Sequence, residues 1–190
     1  AGGIKTWGNL LVPVLLNPDE SYQLYQFIRP GKASCSYGLI SGDEMMVFDP
    51  SRNTDFYLEF AASKNCRLIK TFETHLQADY IAGSRILSEE TGAEFLANEH
   101  DFSGANINYT SLSDGAKITF SQPGVEVQCV FTPGHTPGST CFSFDWAGTP
   151  DGVELPLDSF GAGKWRLESE SNRRTRSCSP LHDHSAIQPQ

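Results

Sequence analysis

Two histidine-containing loops constrain this chain most, because each places an imidazole at the end of a predicted strand. The first, residues 74–80, reads Thr-His-Leu-Gln-Ala-Asp-Tyr and directly follows an apolar stretch. The second, residues 132–139, reads Thr-Pro-Gly-His-Thr-Pro-Gly-Ser and lies between two further stretches typical of strands. Pro and Gly lie on both sides of His135, and the prolines restrict the backbone, which favours a ring held in one orientation. Loops of this kind on a rigid scaffold commonly carry functional side chains.

The segments around these loops carry alternating strand and helix signals. Polar and apolar side chains alternate at the period of a half-buried strand, and a Ser-Gly-Asp turn at 41–43 indicates a hairpin. Thr91-Gly92 provides a glycine stop for a helix. The order of these signals predicts a layered α/β domain. Strands are predicted over 21–28, 35–40, 44–48, 66–72, 94–97, 117–121, 125–132 and 139–145, and helices over 54–64 and 79–91.

Charge and hydropathy argue against two classes of partner. The chain of 190 residues carries 14 Lys and Arg against 23 Asp and Glu, a net charge of −9. Nucleic-acid binding depends on basic side chains that neutralise phosphates, so we expect no nucleic-acid partner. A membrane-spanning helix needs a run of about 18 apolar residues, which the sequence lacks. The longest apolar stretch, 10–16, is predicted to be the first buried segment.

The length predicts a single domain with a tail. Residues 1–145 carry the strand and helix signals, whereas 146–190 are poor in apolar runs and rich in Ser, Gly, Arg and Pro, which indicates a diverged or poorly ordered C-terminal segment. The five cysteines are widely spaced and form no C-x-x-C pair. They are interpreted as small core residues in a reducing compartment, the cytoplasm or a mitochondrial matrix, with a cysteine nucleophile as the alternative.

Taken together, the two loops resemble the signature loops of the metallo-β-lactamase fold superfamily. That family's first loop reads Thr-His-x-His-x-Asp-His, and its second reads Thr-x-Gly-His-Thr-x-Gly-Ser. The second loop of this chain matches at every fixed position. The first matches at Thr74, His75 and Asp79 and differs at Gln77 and Tyr80. The resemblance, which extends over about two-thirds of the chain, implies an αββα sandwich that is incomplete at the C-terminus.

The two differences bear on how many metal ions the resemblance implies. Two-metal members of the superfamily use the histidines that Gln77 and Tyr80 replace here. A neutral amide is a poor zinc ligand, and a tyrosine ligates only as phenolate, with an ordinary pKa near about 10. A dinuclear zinc site is therefore not expected.

One branch of the superfamily, the persulfide dioxygenases, uses a single Fe(II) held by two histidines and one aspartate. The segment from Glu73 to Gly83 is similar to that branch's first loop. The resemblance implies His75 and His135 as metal ligands, with Asp158 as the third, although the family's Thr-Gly-Asp segment is missing here. Zn(II) is the alternative metal.

Asp79 and Tyr80 are the candidate catalytic residues. Asp79 has a structural alternative as a helix N-cap and is also placed to orient the metal-bound rings. His100 is predicted to be a surface residue, and so are two histidines of the C-terminal segment, His182 and His184.

Three functions remain open at this stage. The first is oxidation of a glutathione persulfide-type substrate to sulfite by an iron enzyme. The second is hydrolysis of a glutathione thioester, as in glyoxalase II, by a metal-bound water of lowered pKa. The third is an inactive, metal-poor relic of the fold. The implied partner is a small-molecule thiol, persulfide or thioester.

Overall fold

The computed structural model describes residues 8–16, 22–31, 34–76, 83–122, 125–146 and 164–167. The strands in these ranges are β1 (Val12–Leu15), β2 (Gln23–Arg29), β3 (Ser34–Ser41), β4 (Glu44–Phe48), β5 (Arg67–Phe72), β6 (Glu94–Ala97), β7 (Thr110–Ser111), β8 (Lys117–Thr119), β9 (Val125–Phe131), β10 (Thr140–Trp146) and β11 (Lys164–Leu167). The helices are α1 (Thr54–Ser63), α2 (Ser84–Thr91) and α3 (Glu99–Phe102).

The strands form two sheets. The first has the order β1-β2-β3-β4-β5-β6-β7, and its pairs are antiparallel from β1 to β4 and parallel from β4 to β7. The second is antiparallel in the order β11-β10-β9-β8. Helices α1 and α2 follow β4 and β5 as crossovers, which parallel pairing requires.

Central strand β4 shows how the layers are built, because all five of its residues are buried. Met46 and Phe48 face the second sheet, and Met45 and Val47 face the helices. A strand covered on both faces reads as a continuous apolar run, and residues 45–48 of β4 form such a run after Glu44. The core between the sheets contains Leu24, Leu39, Met46, Phe48, Phe72, Val127, Cys129 and Phe142. The core between the first sheet and the helices contains Phe27, Met45, Val47, Tyr57, Ala61 and Leu87.

Most of the predicted elements are confirmed within one or two residues. The hairpin of β3 and β4 pairs antiparallel around Gly42, and the helix predicted over 54–64 is α1. Gly92, in the left-handed conformation at φ 75°, ends α2 as the glycine stop predicts. His100 is exposed, as predicted.

The start of α2 differs from the prediction. The helix begins at Ser84 with Gly83 at its N-cap, and Asp79 lies outside the described residues. Residues 79–82 of the predicted helix lie outside the described residues. A Cβ at position 83 would lie 2.2 Å from the Ser51 carbonyl oxygen, so only glycine fits where the chain passes this backbone.

The apolar stretch 10–16 was expected to be buried, and this prediction is wrong for most of it. Leu10, Val12 and Val14 are 47%, 38% and 37% exposed, whereas Leu11 is buried. The physical reason is position: among the described strands β1 pairs only with β2, at the edge of the first sheet and the margin of the layers that bury the central strands.

Four residues of the predicted C-terminal segment, Lys164–Leu167, form β11 and pair with β10. The boundary at residue 145 stays a prediction, since most of 146–190 lies outside the described residues. Within the described part of the chain, no helix is long and apolar enough to cross a membrane.

A buried carboxylate joins the two sheets. Glu44, 1% exposed, accepts hydrogen bonds from the backbone N–H of Ser121 at 2.7 Å and from its hydroxyl at 2.7 Å, and it pairs with Arg67. These donors, chiefly the Ser121 N–H, hold the pKa of the Glu44 carboxyl below its usual range.

Because the folded-state pKa of Glu44 is lowered, the stability it contributes is present above the unfolded value of about 4.3 and is lost as the pH falls below it. Glu44→Gln is expected to lower the free energy of unfolding by about 2 kcal/mol at pH 7, with a smaller difference from the parent in acid. Urea unfolding at several pH values measures this. Glu126→Gln, which removes a more exposed pair with Lys117, should cost less than about 0.5 kcal/mol. Equal losses in the two variants would contradict the role given to Glu44.

Candidate metal site

The first histidine loop begins where two parallel strands end at the same edge of the first sheet. Asp49 directly follows β4 and has a left-handed backbone at φ 50°, and Thr74 lies two residues beyond β5. The Asp49 carboxylate accepts the N–H of Thr74 at 2.8 Å and its hydroxyl at 2.8 Å. All three residues Asp49, Thr74 and His75 are at most 4% exposed. The loop is therefore fixed by its neighbouring strand.

This arrangement sets the proton position on His75. The Thr74 hydroxyl lies 2.9 Å from His75 Nδ1. A hydroxyl has one proton, and that proton goes to the Asp49 carboxylate, so Nδ1–H of His75 donates to Thr74. In the neutral imidazole this places the proton on Nδ1 and the lone pair on Nε2, the nitrogen through which a histidine in this tautomer ligates a metal.

Glu73 is buried beside this network, close to the Asp49 carboxylate. Its side chain is 1% exposed, and neither carboxyl oxygen has a hydrogen-bond partner among the described residues. Burial, and then the charge of Asp49, raise the pKa of the Glu73 carboxyl well above its usual range. Of the two neighbouring carboxyls, the one with hydrogen-bond donors from Thr74, Asp49, is therefore better able to carry the negative charge.

The second histidine loop joins β9 to β10. Thr132 N–H donates to the Ser139 carbonyl at 2.8 Å, and Gly134 N–H donates to the Thr136 carbonyl at 3.1 Å. Inside the loop, the Ser139 hydroxyl accepts the Thr136 N–H at 3.1 Å. These short-range bonds leave His135 exposed at the tip.

The structure brings the two loops together. Thr140 N–H donates to the Thr74 carbonyl at 2.8 Å, which joins their bases. The rings of His75 and His135 meet edge to face, with centroids 5.2 Å apart and planes inclined by 75°. The carboxylate of Asp101 on α3 contacts both loops, at Leu76 and at Thr136.

Only two of the predicted site residues can be placed. His75 and His135 are adjacent, whereas Gln77, Asp79, Tyr80 and Asp158 lie outside the described residues. Within the described ranges, no three His, Cys, Asp or Glu side chains form a cluster suited to a metal ion.

The donor chemistry of the two rings fits a single metal ion. Imidazole nitrogens bind Zn²⁺ at about 2.0–2.1 Å and also suit iron. Rings 5.2 Å apart at their centroids are near enough to share one ion. Asp49, through Thr74, provides the outer hydrogen bonding that metal-ligating histidines usually have.

Asp49 and Asp101 were not predicted from the sequence. Asp49 carries a signal like that of the first histidine loop, a polar residue that follows a buried strand, and could have been found by it. Asp101 gives no such signal, because α3 has only four residues and no apolar period.

Thr74→Val is expected to weaken metal binding by about 10–100-fold, since it removes the hydroxyl that orients His75. It should also lower the free energy of unfolding by about 1–3 kcal/mol, because it removes a hydroxyl donor from a buried carboxylate oxygen of Asp49. Metal titration measures the first effect and urea unfolding the second. Thr74→Ser should restore both the metal affinity and the free energy of unfolding. The control is Thr71→Val, which removes a fully buried hydroxyl from β5, and it should leave metal affinity unchanged. Equal metal affinity in all three variants would contradict this role.

Known proteins with similar sequences and structures identify the fold of this chain. No protein-family profile matches the chain. A hydroxyacylglutathione hydrolase from Rhizobium etli is 29% identical over 87 residues, which are 46% of this chain and 33% of the relative. The chain thus matches only about a third of that relative's length.

Two solved structures are similar over larger parts of the chain. A metallo-β-lactamase from Staphylococcus aureus aligns with a TM-score of 0.60 and 22% identity, over 65% of this chain and 37% of its own. A metallo-β-lactamase from Cronobacter sakazakii aligns with a TM-score of 0.57 and 17% identity, over 76% and 58%. The chain therefore has the metallo-β-lactamase fold, which confirms the prediction from the two loops. The described residues contain the helix layer on the first sheet and both sheets of the predicted αββα sandwich.

Proposed function

We propose that this chain is a metal-dependent enzyme with one metal ion, held by His75 and His135, that acts on the sulfur of a glutathione-type substrate. The observation that carries the proposal is the edge-to-face contact of these two rings, 5.2 Å apart, at the ends of strands from different sheets. A third ligand is required, and Asp158 remains our candidate for it. Fe(II) is the proposed metal and Zn(II) the alternative.

The proposed reaction is oxidation of a persulfide. One persulfide, one O₂ and one water give one thiol, one sulfite and two protons, so the terminal sulfur is oxidised and O₂ is reduced. When bound, the metal would supply the redox chemistry for O₂ and a position for the sulfur.

The chain's own residues would position the reactants. Thr74 and Asp49 orient the His75 ring through its Nδ1 proton, which leaves Nε2 as the nitrogen that would face the metal. Leu76, next to His75 and 49% exposed, offers apolar surface at the loop for a thiol-bearing substrate. Asp79 and Tyr80 stay candidates for contact with the substrate.

Persulfide oxidation is favoured over hydrolysis by the residues of the first loop. A dinuclear hydrolase uses imidazoles where this chain has Gln77 and Tyr80. Without them the loop retains only one of its three histidines, which suits a mononuclear 2-His-1-carboxylate site rather than a two-metal site.

Thioester hydrolysis is the second candidate, because the curated relative is named as a hydroxyacylglutathione hydrolase. Such a reaction would use a metal-bound water of lowered pKa. The match covers 46% of this chain, so the relative's activity is transferred here only as a hypothesis.

One paired assay separates the two candidates. The full chain loaded with Fe(II) is given glutathione persulfide while O₂ uptake and sulfite are followed, and separately a glutathione thioester while free thiol is followed. We expect O₂ uptake and sulfite in equal amounts, with no thioester cleavage above the level of His135→Ala. Thioester cleavage without O₂ uptake would establish the second candidate. If the chain catalyses neither reaction, both candidates are overturned.

A further inference from the structure

We propose that Asp101 is a positioning residue that fixes the two histidine loops relative to each other, so that both imidazoles can bind the same ion. This inference rests on the proposed function, because the relative position of the two rings matters to metal binding only if both bind the same ion. Asp101 lies on α3, an element that contributes no ligand to the predicted site.

The contacts of the Asp101 carboxylate span both loops. Its Oδ2 accepts the N–H of Leu76 at 3.0 Å and the hydroxyl of Thr136 at 2.6 Å. Its Oδ1 accepts the N–H of Gly138 at 2.7 Å. Hydrogen bonds to an ionised acceptor are stronger than neutral ones, so three of them make a firm connection.

Two of these donors belong to the residues that directly follow the histidines. Leu76 directly follows His75, and Thr136 directly follows His135. A single oxygen therefore binds the residue after each proposed ligand. A displacement of Asp101 would move both loops at the points where the rings are attached.

Neighbouring residues allow the Asp101 carboxylate to approach the second loop and hold α3 in position. A Cβ at position 138 would lie 2.6 Å from the Asp101 carboxyl carbon, so glycine is what allows the carboxylate to approach the loop. Helix α3 is itself anchored, because Asn98 caps it through His100 N–H and donates to the Thr140 hydroxyl at 3.3 Å. Phe102 is buried next to Asp101 and packs against Phe95 on β6.

The test compares Asp101→Ala and Asp101→Asn with a matched control. Asp114 is an exposed aspartate whose carboxylate accepts the Phe131 N–H at 2.8 Å, at the end of β9 and outside both histidine loops. Asp114→Ala therefore removes a carboxylate–amide bond of the same kind. Thr136→Val, alone and combined with Asp101→Ala, tests whether the two residues act through one bond.

Two readouts are taken on each full-length variant. The first uses metal-free protein and measures amide hydrogen exchange at Leu76 and Gly138, which depends on the connection alone. The second is the Kd for Co(II), a spectroscopic probe for the metal. We expect Asp101→Ala to speed exchange at both amides and to raise the Kd by about 10–100-fold, as loss of outer-shell partners does. Asp101→Asn, which keeps one acceptor oxygen, should fall between parent and Asp101→Ala.

The outcomes separate this inference from the proposed function. Faster exchange in Asp101→Ala with the parent's Kd would overturn the positioning role, because the connection would then be structural only. Unchanged exchange at Leu76 and Gly138 would overturn it as well. Absence of Co(II) binding by the parent chain would overturn the proposed function, and exchange would still report whether Asp101 joins the loops. If Asp101→Ala does not fold, Asp101→Asn and Thr136→Val give the same comparison.

Discussion

Replacing His135 with alanine is expected to weaken metal binding by more than about 100-fold, the largest change in binding that we predict. Loss of outer-shell partners alone costs about 10–100-fold, and His135 is a proposed direct ligand. Because its side chain is exposed at the tip of the second loop, the metal-free protein should keep its stability within about 0.5 kcal/mol. Titration with Fe(II) or Co(II), alongside urea unfolding of the metal-free chain, measures the two effects separately.

The control for this variant is His100→Ala. His100 is also exposed and lies next to Asp101 on α3, but outside both loops. Its replacement should leave metal affinity at the parent value. If His135→Ala binds the metal as tightly as His100→Ala does, His135 is not a ligand and the mononuclear site is refuted.

The largest effect on stability is expected from Phe142→Ala, which should lower the free energy of unfolding by about 3–5 kcal/mol. The Phe142 ring is fully buried, with its centroid 5.1 Å from that of Phe48 and 5.0 Å from that of Phe72. These three rings join β10 of the second sheet to β4 and β5 of the first. A domain is usually stable by only about 5–15 kcal/mol, so the loss is a large fraction of the total.

Phe131→Ala is the control for Phe142→Ala, because Phe131 lies on the neighbouring strand β9 and is half-buried. A ring that is less buried loses less transfer free energy on truncation, so its cost should be clearly smaller. Urea unfolding of the metal-free proteins gives both values. Equal losses would show that the three-ring cluster does not hold the sheets together.

The elements that the sequence predicts well are those with a local pattern. The β3–β4 hairpin follows from two apolar runs around a Ser-Gly-Asp turn, and the end of α2 follows from Gly92. Edge strand β1 was misjudged, because an apolar run gives no information about which strands lie at a sheet margin. Burial of Val12 and Val14 depends on neighbouring layers, which are long-range features.

The residues of the candidate site also divide into those with a local sequence signal and those whose role depends on long-range contacts. His75 and His135 stand out in the sequence because each lies in a short, stiff loop after a strand, and the resemblance implied that they meet. Asp101 could not be predicted, because its partners lie 25 to 37 residues away and α3 is a single turn. The Thr74 bridge between Asp49 and His75 likewise depends on the parallel pairing of β4 and β5.

The metal content of the full chain tests the central claim most directly. The protein is reconstituted with excess Fe(II) or Zn(II), freed of unbound metal, and analysed for metal per chain. One metal ion per chain, lost in His135→Ala and retained in His100→Ala, is the result expected of a mononuclear site at His75 and His135. Two zinc ions per chain would contradict the account in favour of a dinuclear hydrolase. Metal well below one per chain would contradict it in favour of an inactive relic of the fold.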